Sequence, residues 1–189
     1  LVALITVPFV MPAIVVAVAF AALLGPDGAV NQVLRIVPGA GDRPVDLMNT
    51  IWIILAAHVF YNFGVTARII AASWSGIDER LSDAATMLGA GSGRRFLTVT
   101  LPLLRTPILA AASLVFLFCF TSFGVILVLG GPQFNTVETE IYRETIFQFR
   151  LPVAAALALC QLLFTFVVMW VYTRAQQTAG GGGIHESRQ

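Results

Sequence analysis

No lysine occurs among the 189 residues; all eleven basic side chains are arginine. That absence excludes a P-loop, which needs its lysine on the phosphates, and it excludes Schiff-base chemistry. ATP hydrolysis is therefore expected on a partner and not on this chain. Charge of either sign is scarce as well, at 11% of residues against about a quarter in an ordinary soluble domain. With a net charge of +1 and scattered arginines there is no basic face for nucleic acid. The two cysteines, Cys119 and Cys160, each sit inside an apolar run and read as small hydrophobes, with no disulfide framework or metal spacing. One histidine in the apolar segments and no HExxH pattern leave no nucleophile–base pair or metal set for an intramembrane enzyme. The expectation is no catalytic residue, no bound metal and no cofactor.

What the chain does have is long apolar runs. Hydrophobic residues make up 58%, and mean hydropathy is +0.86. The fold class expected is all-α integral membrane, a multi-span helical bundle with spans at about 1–24, 49–72, 103–129 and 151–172. A run of 24 residues makes roughly 36 Å of helix, enough for a hydrocarbon core of about 30 Å. Segment 25–48, rich in Gly, Pro and Asp, reads as a loop with a short helix near Val30 to Val37. Residues 130–149 read as a polar connector whose Glu138, Glu140 and Glu144 lie in an exposed loop. The second span carries His58, Asn62 and Arg68, and the third carries Thr121 and Ser122. His58, Asn62, Thr121 and Ser122 are the candidate substrate path, because polar groups at membrane depth face protein or water. The bland alternative has His58 and Asn62 tying helices together and Arg68 snorkelling to the surface.

Between the second and third spans lies a polar island. Leu81, Ala84, Ala85 and Leu88 recur at i, i+3, i+4 and i+7, the stripe of a short helix, with Asp78 placed to cap it and Gly89 to end it. Gly89-Ala90-Gly91-Ser92-Gly93 is no phosphate cradle, since no strand precedes it and no Gly-Lys-Ser/Thr ending follows. Asp83-Ala84-Ala85, three residues, Gly89, nine residues, Val99, one residue, Leu101-Pro102 resembles the EAA loop of binding-protein-dependent ABC importer permeases. Asp83 stands where that pattern has Glu, and Val99 where it has Ile. Segments 57–62, 118–123, 129–133 and 138–142 look similar to the first half of thiamine permeases, and related ferric-iron permeases share much of this.

The resemblance implies a type I ABC importer permease domain over residues 1–173, with a coupling loop at 74–102 and a flexible tail or linker at 174–189. It implies that Leu81, Asp83, Ala84, Ala85, Leu88, Gly89, Leu101 and Pro102 couple to a cytoplasmic ABC ATPase dimer, which would bind ATP and Mg. Gly89 is expected to matter because a side chain there would obstruct the turn. Further partners implied are an extracytoplasmic substrate-binding protein, a second permease half or subunit, and the lipid bilayer. Thiamine is the first substrate expected and ferric iron the second; an ion-coupled secondary transporter using His58 and Arg68 is the alternative from another class. A chain that begins inside an apolar run and shows four spans is expected to be a piece of a longer one. Independently of the resemblance, seven arginines (68, 80, 94, 95, 105, 174 and 188) fall on the side of the island and tail, and four (35, 43, 143 and 150) on the other. The positive-inside rule then puts the island and tail in the cytoplasm of a bacterial inner-membrane protein.

Overall fold

Every element in the computed structural model is helical among the described residues, 11–39 and 41–180, of which 175–180 are described by backbone only. In chain order they are α1 (Ala13–Leu24), α2 (Ala29–Leu34), α3 (Ile51–Ser75), α4 (Glu79–Met87), α5 (Ser92–Arg95), a π-helical turn (Phe96–Thr100), α6 (Leu101–Phe120), α7 (Phe123–Leu129), α8 (Val137–Ile146) and α9 (Leu151–Gly180). Four segments are long and apolar enough to cross a membrane: Ala13–Leu34, Ile51–Ser75, Ser92–Phe120 and Leu151–Arg174. The first ten residues of the first expected span lie outside the described residues, as do Gly181 to Gln189 of the tail. The start of the tail is not a free linker, because α9 continues to Gly180.

The expected third span, 103–129, is not one helix. Its α6 stops at Phe120, and α7 begins at Phe123. Between them Ser122, at φ −90° and ψ 77°, makes an inverse γ-turn in which the Phe123 N–H donates to the Thr121 carbonyl at 3.2 Å. The periodic apolar pattern on both sides hid this break. Glycine explains where the chain goes next: a Cβ on Gly124 would stand 3.0 Å from the Ile14 backbone nitrogen, so any larger residue would push α7 and α1 apart by a few tenths of an ångström.

Where the sequence suggests one domain over 1–173, the chain falls into two compact units. The first, within Leu1–Gly64 and Leu117–Thr165, has its core where α1, the first half of α3 and α7 meet, around Ala17, Ile53, Ile54, Ala57, Val125, Ile126 and Leu129. Ala17 and Ala57 let the helices approach among the buried Ile53, Val125 and Leu129, while other large side chains such as Leu159, Leu162 and Trp52 face outward, as they can where the surroundings are as apolar as they are. The 25–48 loop is held by Asn31, which is fully buried. Its Nδ2 donates to the carbonyls of Gly25 (2.9 Å) and Val45 (2.7 Å), and its Oδ1 accepts from the Val45 N–H (2.8 Å).

The 130–149 connector is not an exposed loop either. Helix α8 starts with a capping box between Thr136 and Thr139, carries Glu138 and Glu140 in its first turn and Arg143 in its last, and so suits its own dipole. Glu144, expected on a solvated face, is 3% exposed and takes a two-pronged bond from Arg150, Nε to Oε2 at 2.7 Å and Nη2 to Oε1 at 2.6 Å.

The second unit, within Val65–Phe116 and Phe166–Gln189, contains α4, α5 and the π-helical turn with the adjoining parts of α3, α6 and α9. Leu104 and Ala111 are buried there, and Arg174 lies over the Trp170 ring at 5.1 Å.

Replacing Asn31 by Ala orphans the N–H and the carbonyl of Val45 at once and leaves the Gly25 carbonyl with the Gly28 N–H as its remaining donor. A loss of about 2–4 kcal/mol in unfolding free energy is expected, with faster hydrogen exchange at the Val45 amide than at amides of α9.

Candidate functional site

The polar island folds as two short helices joined by glycines. Asp78 caps α4, its carboxylate accepting from the Arg80 N–H at 2.9 Å. At the other end the Ala90 N–H reaches back to the Ala85 carbonyl (3.0 Å) and the Gly89 N–H to the Thr86 carbonyl (2.9 Å), a Schellman ending with Gly89 in its left-handed position at φ +82°. A Cβ on Gly89 would meet nothing within 4 Å. Obstruction, the expected reason for glycine here, is therefore not the cause; the positive φ is.

None of the residues of α4 is buried. Leu81 is exposed, and Met87 and Leu88 are 91% and 88% exposed, so apolar knobs stand in the open on a helix whose other residues are polar or small. Asp83 and Ala84 are exposed and Ala85 is half-buried. Sequence reasoning took up Leu81 and Leu88 but passed over Met87, the most exposed of the three; the stripe at i, i+3, i+4 and i+7 does not include it.

Burial does not hold α4 in place, yet it is not loose. Arg95 Nη1 donates to Thr86 Oγ1 at 3.0 Å, linking α5 back to α4, and the Phe96 ring lies 5.9 Å from that of Trp74 at the end of α3. Leu101 and Pro102 follow the π-helical turn, and Pro102 accounts for it. Proline has no N–H for the Thr98 carbonyl and its ring would press on that oxygen, so the turn before it widens and the Leu101 N–H bonds to Phe96, five residues back.

The four candidate substrate-path residues lie in the first unit. Asn62, 3% exposed, donates through Nδ2 to the His58 carbonyl (2.9 Å) and contacts Cys119 Sγ (3.7 Å), tying α3 to the end of α6. His58 Nδ1 bonds to the Ile54 carbonyl at 2.8 Å, so as a neutral ring it carries its proton there, and Nε2 is left a buried acceptor without a partner, as is Asn62 Oδ1. Ser122 is buried in the γ-turn, whereas Thr121 is exposed and bonds to the Leu117 carbonyl of its own helix. Asn62 and His58 thus carry open acceptors at membrane depth, and Thr121 is satisfied within its helix. Cys119 was read only as a small hydrophobe; nothing in the sequence signals its contact with Asn62, 57 positions away.

A family model for the binding-protein-dependent transport system inner membrane component matches residues 1–179. The thiamine transport system permease protein ThiP of Haemophilus influenzae is 31% identical over 172 residues, which are 90% of this chain and 31% of that protein. The molybdenum transport system permease protein ModB of Azotobacter vinelandii is 28% identical over 182 residues, 95% of this chain and 78% of ModB. This chain spans about a third of the length of the thiamine permeases that it matches. Among solved structures, a bacterial ABC transporter involved in the import of the acidic polysaccharide alginate superposes with a TM-score of 0.75 at 19% identity, covering 94% of this chain and 64% of the other. The same kind of transporter, in complex with an alginate pentasaccharide-bound periplasmic protein, gives 0.73 at 18% identity. The fold is therefore that of an ABC importer permease.

Gly89→Ala should cost about 1 kcal/mol through its left-handed backbone and not through a clash. Faster proteolytic cleavage between α4 and α5, with the helix content of the long spans unchanged by circular dichroism, is the expected signature.

Proposed function

Since the chain belongs to the family of binding-protein-dependent transport system inner membrane components, we propose that it forms the membrane pathway of an ATP-driven importer and docks a cytoplasmic ATPase dimer through α4. The observation that carries the docking role is the exposure of Leu81, Met87 and Leu88 on a helix closed at both ends by its own caps. A cleft in the ATPase would take the knobs, Ala84 and Ala85 would let its surface come close, and Asp83 would pair with a basic residue. The link from Arg95 to Thr86 and the contact of Phe96 with Trp74 give a push on α4 a stiff route to α3 and α6 within the second unit. Rigid-body rotation of the bundles would then switch access from one face to the other. The arginine count supports a cytoplasmic α4, with α2 and α8 on the far side, where a substrate-loaded binding protein would arrive. A second permease half or subunit would complete the pore.

The proposed substrate is thiamine, supported by the likeness to thiamine permeases over 90% of the chain. His58 and Asn62 would line the path, their two buried, unpaired acceptors reaching donors on a solute once the bundle opens. The likeness to ModB favours a second reading, in which the cargo is a molybdenum oxyanion; acceptors alone suit that cargo poorly.

Uptake of labelled thiamine by cells carrying the full-length locus, with ATP supply and proton gradient varied separately, tests both levels. Thiamine uptake that needs ATP and falls at least tenfold in Gly89→Asp or Leu88→Asp is expected. Uptake of molybdate in place of thiamine would replace the substrate, and uptake driven by the proton gradient and indifferent to both changes would overturn the ABC reading.

A further inference from the structure

Three carboxylates of α8 have no part in the proposed function, and they are not equivalent. Glu140 is ion-paired with Arg143, and Glu144 is held by Arg150. Among the described residues Glu138 has no cation partner. Its Oε1 accepts from Gln161 Nε2 on α9 at 2.8 Å, while its Oε2 is buried with no partner. The carboxamide oxygen Oε1 of Gln161 is buried with no partner too. The two unsatisfied atoms therefore belong to the same two planar groups that already share one hydrogen bond. Both atoms are acceptors when Glu138 is ionised, so neither satisfies the other. A single proton on Glu138 Oε2 gives the carboxyl a donor for the carboxamide oxygen and completes a paired acid–amide contact.

We infer that Glu138 and Gln161 form a proton-binding site, in which a protonated Glu138 locks α8 to the span α9. Binding adds a proton from the aqueous side to Oε2 and changes no other covalent bond. Loss of that proton leaves the Glu138 carboxylate oxygen and the Gln161 carboxamide oxygen each without a donor, and the tie falls back to one bond. The inference does not depend on which solute is transported.

The surroundings agree. Along α8, Glu140 and Arg143 neutralise each other, Glu144 is engaged by Arg150, and Tyr142 packs between the rings of Phe123 and Phe147. Helix α7 carries no titratable group, and on α9 the neighbour of Gln161, Cys160, is exposed. The positive end of α8 favours an anion, but Thr136 takes the Thr139 N–H of that first turn for itself. Burial pushes the Glu138 carboxyl above the usual carboxylate range, against the smaller opposing effect of the Gln161 bond.

The test uses the full-length permease in lipid nanodiscs, with infrared difference spectra of the wild type against Glu138→Gln taken stepwise in pH. A glutamine at 138 supplies both donor and acceptor without a proton. The expected result is a protonated-carboxyl C=O band assigned to Glu138 that bleaches above the ordinary glutamate range and shifts in frequency in Gln161→Met. Since the folded pKa is raised, the proton is bound more tightly in the folded state. Thermal stability should accordingly decline as pH rises from the ordinary glutamate range through the raised pKa in the wild type, and stay flat in Glu138→Gln. A band that bleaches at or below the ordinary range, or that ignores Gln161→Met, overturns the site. A carboxylate band that moves with sodium or potassium and not with pH assigns the two oxygens to a metal cation and overturns it equally.

Discussion

Hydrocarbon offers no hydrogen-bond partner, and the rest of this structure depends on that constraint. Every backbone N–H and C=O in a span must be satisfied by the chain itself, so each interruption carries its own local repair. At Ser122 the repair is a γ-turn that closes the gap between α6 and α7. Before Pro102 it is a π-helical turn that re-pairs Leu101 with Phe96. Beyond the first apolar run, Asn31 does with one side chain what a strand would do with its backbone, bonding Gly25 and Val45 at once.

The same solvent reverses the usual meaning of burial. Leucine gains little by leaving lipid for protein, so backbones come close at Ala17, Ala57 and Gly124, and many large side chains stay outside although Ile53, Val125 and Leu129 are buried. Against that background the exposed leucines of α3 and α9 need no partner protein. Leu81, Met87 and Leu88 differ, because they lie with Glu79, Arg80 and Asp83 outside the four segments apolar enough to cross a membrane. In the docking proposed above, another protein covers these apolar knobs. Caps, rather than a core, keep that surface in shape.

The connector helix α8 shows how three carboxylates of one element come to differ. Glu140 sits near solvent with Arg143, Glu144 is buried and doubly bonded by Arg150, and Glu138 meets only an amide. Counting acids and bases along the connector gives a solvated loop. The partners that tertiary structure brings to α8, Arg150 and Gln161 among them, give three distinct environments.

The sequence by itself determined the class of protein, the four apolar spans, the small stripe of α4 with its Asp78 and Gly89 ends, and the likeness to importer permeases. Those readings rest on composition and on spacings of three to nineteen residues, which report local geometry directly. Tertiary structure alone decided that the third span breaks at Ser122, that Asn31 is a structural pin, that Asn62 meets Cys119, and that Glu138 meets Gln161. Each of those joins residues from 14 to 57 positions apart, or follows from where one helix leaves room for another. An apolar periodicity continues undisturbed through a γ-turn, and a glutamate carries no record of whether a cation or an amide will face it. Gly89 stands between the two cases: its position was legible, but the physical reason for it, a left-handed backbone in open space, was not.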